Sequence, residues 1–260
     1  MRKLRELAVV SLAAAPPLAC RALDTNVSPI ATDRPGLMFS SSVVPRGAWQ
    51  LELGAPFVQV DRSRGSDTSL LAASAQLRYG MSESLELRLA GAPAAWQRVE
   101  SNGDSRSDWG VSDIEIGAKY ALPTESASVL LASLRLPSGS SEFTADEPAY
   151  SLFAISEVAL DASHSLKGLV GWTGQDSSNS RWTDTASLGV LLSRVFSPRL
   201  SGYVEAATYP DLRGGNSPTY AGLGVALLLS SNVQLDAAVD FGVNDDAVDA
   251  LFGTGISVRW

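Results

Sequence analysis

Asp113-Ile114-Glu115-Ile116-Gly117-Ala118-Lys119-Tyr120-Ala121-Leu122 is the stretch on which the fold turns. Ile114, Ile116, Ala118, Tyr120 and Leu122 alternate with Asp113, Glu115, Gly117 and Lys119. An extended chain sends successive side chains to opposite faces, so this run has one apolar face and one face of charge and glycine. Outward from it the same period recurs. Trp49, Leu51 and Leu53 flank Gln50 and Glu52; Leu71, Ala73, Ala75, Leu77 and Tyr79 flank Ala72, Ser74, Gln76 and Arg78. Leu85, Leu87 and Leu89 flank Glu86 and Arg88; Val233, Leu235, Ala237, Val239 and Phe241 flank Gln234, Asp236, Ala238 and Asp240.

Alternation alone also suits a soluble sandwich, with apolar faces turned to a core. Connection lengths separate the two. Short turns fall near Gly80–Ser84, Pro123–Ala127, Asp161–Ser165, Ser197–Arg199 and Ser230–Asn232. Between them lie longer polar stretches at Arg62–Thr68, Pro93–Trp109, Pro137–Ala149, Gly174–Thr183, Pro210–Pro218 and Asn244–Asp249. Turns and loops that alternate in this way join twelve antiparallel strands with both chain ends on the turn side. That is the layout of an all-β, up-and-down, membrane-spanning barrel with short periplasmic turns and longer extracellular loops. Most runs have 10–13 residues, whereas a soluble strand averages ~5–6 and a barrel strand needs ~9–11 to cross hydrocarbon. A closed ring also leaves no sheet edge unsatisfied in lipid.

The ends of the chain agree. Arg2, Lys3 and Arg5 precede the apolar run Leu7–Ala19, which is too short for a membrane helix but suits a secretory signal. Cleavage is expected after Ala22, making residues 1–22 a signal peptide; a lipoprotein signal with Cys20 lipidated is the rival reading. Residues 23–46, with Pro29 and Pro35, are a periplasmic lead or a plug in the lumen, and residues 47–260 form the barrel. As a plug, the segment would bring Arg34 to an acidic wall. At the other end Phe252, Thr254, Ile256, Val258 and Trp260 share one face, and Trp260 is the last residue. An aromatic terminus after alternating apolar positions resembles the signal read by the barrel assembly machinery, which assigns Phe252, Ile256, Val258 and Trp260 to assembly. Trp49, Tyr79, Tyr120, Phe196 and Trp260 fall at turn-side strand ends, and Trp96, Trp172 and Tyr209 toward loop-side ends, the two heights of the membrane boundary.

Composition removes other classes. The 260 residues carry 20 basic and 28 acidic side chains, a net charge of −8, which disfavours a nucleic-acid partner. Loss of residues 1–22 leaves 16 basic and 27 acidic residues and no cysteine. One Cys and one His exclude a disulfide framework and a structural zinc site, and no cofactor motif is present. The acids in the third and sixth loops (Glu142, Asp146, Glu147; Asp245, Asp246, Asp249) lack the regular ligand spacing of a calcium loop.

Several strings resemble the outer-membrane β-barrel transporter family named for the MetA pathway of phenol degradation. They are Thr32-Asp33-Arg34-Pro35, Val44-Pro45-Arg46-Gly47, Arg78-Tyr79-Gly80 with Leu85-Glu86-Leu87-Arg88, and Gly110-Val111-Ser112-Asp113 with Gly117-Ala118-Lys119-Tyr120. Leu136-Pro137-Ser138-Gly139 and Gln234-Leu235-Asp236 with Asp240-Phe241-Gly242 complete them. The resemblance implies passage or binding of small hydrophobic or aromatic compounds at the bacterial outer membrane, in contact with lipid and lipopolysaccharide.

On this register the lumen is lined by Glu52, Arg78, Glu86, Arg88, Asp113, Glu115, Lys119, Arg135, Glu157, Lys167, Glu205, Asp236 and Asp240. Charges of both signs either pair and fill the narrow space or form a selectivity lining. Arg78 with Glu86 and Glu86 with Arg88 are the expected salt bridges. Acids outnumber bases eight to five in that set, which favours cations or neutral solutes. The expected function is a monomeric, passive channel for a small-molecule solute, since no nucleotide-binding motif supplies energy. A non-conducting envelope barrel is the alternative, and an outer-membrane hydrolase a further one. The only histidine, His164, falls in a periplasmic turn beside Ser163 and Ser165, away from the lipid face and outer rim.

Overall fold

The computed structural model describes residues 28–63, 66–101, 103–145, 147–176 and 182–260. The signal segment, Cys20 and Asp146 lie outside the described residues. Thirteen strand segments follow in order: β1 Trp49–Ser63, β2 Ser66–Gly80, β3 Leu85–Ser101, β4 Asp104–Gly110, β5 Ile114–Ala121, β6 Ala127–Leu136 and β7 Ala149–Ala159. They continue as β8 His164–Gln175, β9 Thr183–Val195, β10 Leu200–Thr208, β11 Thr219–Ser230, β12 Val233–Gly242 and β13 Ala250–Arg259. The strands pair antiparallel, and β13 returns to β1 (Leu53 opposite Ile256), so the ring closes. Trp96 of β3 faces Trp109 of β4, while Leu89 lower on β3 faces Ile116 of β5. β4 and β5 are therefore two halves of one stave, and the barrel has twelve.

The two faces of each stave have opposite surroundings. Ile116 is 43% exposed and Leu223 51%, while Arg78 and Lys119 are 0% exposed. The ring turns its apolar face outward, the arrangement hydrocarbon requires and water would penalise. A soluble sandwich is excluded by the same observation.

Two of the six expected loops are strand instead. Residues 62–68 and 93–109 were expected as polar loops, but β1 and β2 stay paired up to Ser63 opposite Ser66, and β3 and β4 up to Ser101 opposite Asp104. Above the membrane a hairpin is wet on both faces, so the apolar alternation fades while the backbone ladder continues. Polarity marked the end of the membrane there, not the end of the strand.

Two bulges interrupt the wall at one height. In β1 the register shifts between Gly54 and Phe57, around Pro56. In β3 it shifts opposite Ala73 and Ala75, around Ala92 and Pro93. Proline has no N–H for the ladder, and bulges absorb it.

Residues 28–46 run inside the ring. Ile30, Met38 and Val44 are buried. Ile30 donates its N–H to Ser231 O (2.8 Å) at the turn side. Met38 packs on Val129, Leu131, Ile155, Leu169 and Leu191, the inner faces of β6 to β9, and Phe39 meets Phe153 edge-on at 5.1 Å. One half of the lumen is thus an apolar core. The other half is ionic.

Of the expected girdle residues, Trp49, Tyr120 and Trp260 are exposed, and Trp96 pairs with Trp109 at 6.2 Å between ring centres. Tyr209 departs from that expectation. It lines an interior cavity and lies 6.2 Å from the ring of Tyr220, because one residue beyond β10 it continues the parity of Glu205, which points inward from that strand.

Candidate functional site: a charged lumen around the N-terminal segment

The ionic half is organised by one buried arginine. Arg78 donates Nε and one terminal nitrogen to Glu86 (2.8 and 2.7 Å) and the other to Glu52 (2.7 Å). Its remaining hydrogen bonds go to the carbonyls of Ala31 (3.1 Å) and Ser42 (3.4 Å) of the N-terminal segment. A guanidinium out of water needs such full satisfaction, because an uncompensated buried charge is costly.

Asp33 is the counterpart from the segment. Its carboxylate lies 2.5 Å from Arg88, 2.8 Å from Lys119 and 3.8 Å from Arg78. Glu52 accepts the N–H groups of Asp33 (3.0 Å) and Arg34 (3.2 Å), and Glu86 accepts that of Val44 (2.9 Å). Arg34 reaches Asp236 at 3.1 Å and the Thr254 carbonyl at 2.7 Å. Gly54 and Gly255 face that guanidinium, and a β-carbon at either would collide with it. Arg88 was expected beside Glu86; it turns to Asp33 and to Gln76 (2.6 Å) instead, because Arg78 already occupies both oxygens of Glu86.

The other lumen candidates spread along the wall. Glu205 accepts the Leu37 N–H (3.0 Å), and Glu157 accepts the Ser41 hydroxyl (2.6 Å) with Lys167 at 3.5 Å. Asp113 accepts the N–H groups of Ser138, Gly139 and Ala145 (3.0, 2.9 and 2.9 Å), so it anchors the 137–148 loop. Arg135 donates to Gln175 (2.6 Å), and Glu115 borders the same space. Asp240 is buried with one oxygen that has no hydrogen-bond partner among the described residues.

Space remains between these groups. An interior cavity of about 550 Å3 is bordered by Arg34, Phe39, Phe57, Leu70, Arg135 and Phe143, among others. A second, of about 370 Å3, shares Phe39, Glu115 and Arg135 with it and extends to Tyr209. Sequence reasoning missed Asp33 and Phe39, since the segment that carries them has no periodicity. The one available signal was an adjacent Asp33-Arg34 charge pair in a Pro-rich stretch.

The Ser163, His164 and Asp161 cluster at the periplasmic turn is not arranged as a proton relay. One ring nitrogen, Nδ1, faces both Ser163 Oγ (3.1 Å) and Asp161 Oδ2 (2.9 Å), whereas a relay needs the acid and the nucleophile on opposite nitrogens. The Ser163 N–H and the His164 ring hold the Asp161 carboxyl well below the ordinary carboxylate range, which makes it the acceptor that closes the turn.

Over residues 32–260 the chain matches the model of a protein family described as "Putative MetA-pathway of phenol degradation". Among solved structures it resembles the COG4313 outer membrane channel from Pseudomonas putida F1, with a TM-score of 0.63 at 14% identity over 87% of this chain and 99% of that one. The β domain of the Bordetella autotransporter BrkA follows with 0.60 at 16% identity, over 84% and 100% of the two chains. The translocator domain of autotransporter NalP from Neisseria meningitidis gives 0.57 at 14%, over 84% and 90%. At such identities the likeness is one of fold, a closed outer-membrane barrel. No curated protein matches the chain. Its place is the bacterial outer membrane, among lipid and lipopolysaccharide.

Proposed function

The chain belongs to the family described by the MetA pathway of phenol degradation, and from that premise we propose that it is a passive outer-membrane channel for small molecules, closed at rest by its own N-terminal segment. The observation that carries this reading is how that segment is held. Residues 31–44 have no strand pairing; charged side chains of the wall grip them through Asp33, Arg34 and backbone N–H groups. Such contacts can be exchanged for water when the segment leaves. A permanent filling would be expected to pack at every level, yet cavities of about 550 and 370 Å3 remain beside it.

In this reading Glu52, Arg78, Glu86, Arg88, Lys119, Glu205 and Asp236 are the latch surface. Glu115, Arg135, Glu157, Lys167 and Asp240 border the path, and Asp113 shapes its loop-side mouth. The outward face of Phe252, Ile256, Val258 and Trp260 serves recognition by the assembly machinery, and the barrel works as a monomer.

Refolded mature chain in a planar bilayer should give discrete conductance steps, and D33N should give more frequent ones. A correctly folded, heat-modifiable barrel that stays silent both as wild type and as D33N would overturn the channel in favour of a scaffold.

A further inference from the structure

We infer that Glu205 and Asp240 form a proton-operated catch on the N-terminal segment: the two carboxyls share one proton while the segment is seated, and loss of that proton in alkali frees it. The inference rests on the reading of residues 31–44 as a movable closure and adds the signal that moves it.

The two acids approach across a strand that makes way for them. Glu205 on β10 is opposite Gly222 of β11, and Gly222 is opposite Asp240 of β12. A β-carbon at Gly222 would collide with Asp240 Oδ1, so glycine leaves that oxygen the space between the two acids. The Glu205 and Asp240 carboxyls come within hydrogen-bonding reach of each other. Both residues are buried, and Asp240 Oδ1 has no other hydrogen-bond partner among the described residues. Two carboxylates in contact in a dry site cannot both stay ionised, so one keeps a proton and the proton bridges them.

The surroundings do not replace that proton with a base. Arg34 and Lys167 face this corner of the lumen, but they go to Asp236 (3.1 Å) and Glu157 (3.5 Å). Tyr203 and Tyr209, Tyr220 of β11 and Asp236 of β12 add only phenols and a further acid. On the outer sides, Leu191 of β9 stands opposite Glu205 and Leu251 of β13 opposite Asp240, and neither carries charge.

The segment is tied to the same pair. Glu205 accepts the Leu37 N–H through both oxygens (3.0 and 3.1 Å), and Gly36 packs so closely that a β-carbon there would collide with Oε1. Deprotonating the pair sets two anions side by side beneath the segment. The seated form is dry and keeps the proton; once the segment leaves, water reaches both acids and each ionises alone. The seated form thus binds one proton more than the released form. Its share falls as pH rises, by at most about tenfold per pH unit for a single proton. Acid keeps the catch closed and alkali opens it.

Chymotrypsin cleavage after Phe39 in the refolded full mature chain reads release without recourse to conductance. The reference is D240N, whose amide offers Glu205 a permanent N–H in place of the shared proton. Taking the ratio of cleavage rates cancels the protease's own pH dependence and that of Asp33 with Lys119 across the lumen. Wild type is spared near neutral pH, and the ratio of wild type to D240N should rise at least tenfold between about pH 6.5 and about pH 9. A flat ratio would sink the switch. Infrared difference spectra of the two proteins should show a carboxylic-acid C=O stretch near neutral pH that fades in alkali; its absence at neutral pH would mean that no proton is shared. Should D240N misfold, E205Q keeps an acceptor for Leu37 and a donor for Asp240, and cleavage as slow in alkali as near neutral pH is expected of it. Bilayer conductance of D33N is a separate readout: silence there alongside a rising ratio would end the channel reading and leave the catch standing.

Discussion

Arg78 is fully buried, and everything around it is arranged to make that tolerable. Two carboxylates and two carbonyls take its donors, and Asp33 completes the balance for Arg88 and Lys119. Removing one member of such a set strands the others, at a cost of about 3–5 kcal/mol. D33N should therefore release the segment while the strands stay intact. Chymotrypsin should then cut after Phe39 in refolded D33N and spare wild type; equal resistance would mean that the apolar Met38 contacts suffice to hold it. The outward and inward faces give a second test at this scale. Ile116→Arg puts a charge against hydrocarbon and should cost about 2–4 kcal/mol of barrel stability in denaturant titration. Glu115→Gln, on the adjoining inward position, should leave stability nearly unchanged. The reverse ranking would invert the register.

Among the elements, β13 closes the ring. Trp260 and Trp49 exchange two backbone hydrogen bonds (2.9 and 3.0 Å), and Trp260 stands exposed at the membrane boundary. Deleting Trp260 removes that terminal pair and an interfacial anchor together. The heat-modifiable fraction recovered from outer membranes should fall severalfold, and an unchanged fraction would remove this residue from both closure and assembly. β3 shows a different logic. Leu85, Leu87 and Leu89 announce its lower half by alternation, but Gly91-Ala92-Pro93 breaks it and its upper half is polar. The same Gly-Ala-Pro string occurs at residues 54–56 of β1, where the ladder also shifts. Proline in two strand interiors was a legible warning of bulges. That they fall at one height was not, because height is set by pairing.

For the molecule as a whole, charge is sorted by closure. The wall residues assigned to the lumen include eight acids and five bases, and the chain carries a net charge of −8. A path past an acid-rich wall in a confined, low-dielectric space favours cations. Under a salt gradient the open channel should reverse at a potential of cation sign, and an anion-signed reversal would mean that Arg78, Arg88 and Lys119, freed of Asp33, govern the pore.

Strand existence, the count of twelve staves, the outward apolar face and the outer-membrane setting were all determined by sequence. They follow from a period of two and from turn lengths, both local properties of the backbone and its solvent. The Asp33 latch, the inward turn of Tyr209 and the strand character of 62–68 and 93–109 were decided only by tertiary structure. The latch depends on residues far apart in the chain that ring closure brings together, since Asp33 meets Lys119 at a separation of 86 positions, and the two hairpins continue as strand above the membrane because backbone pairing does not need the apolar alternation that marks a lipid-facing stretch.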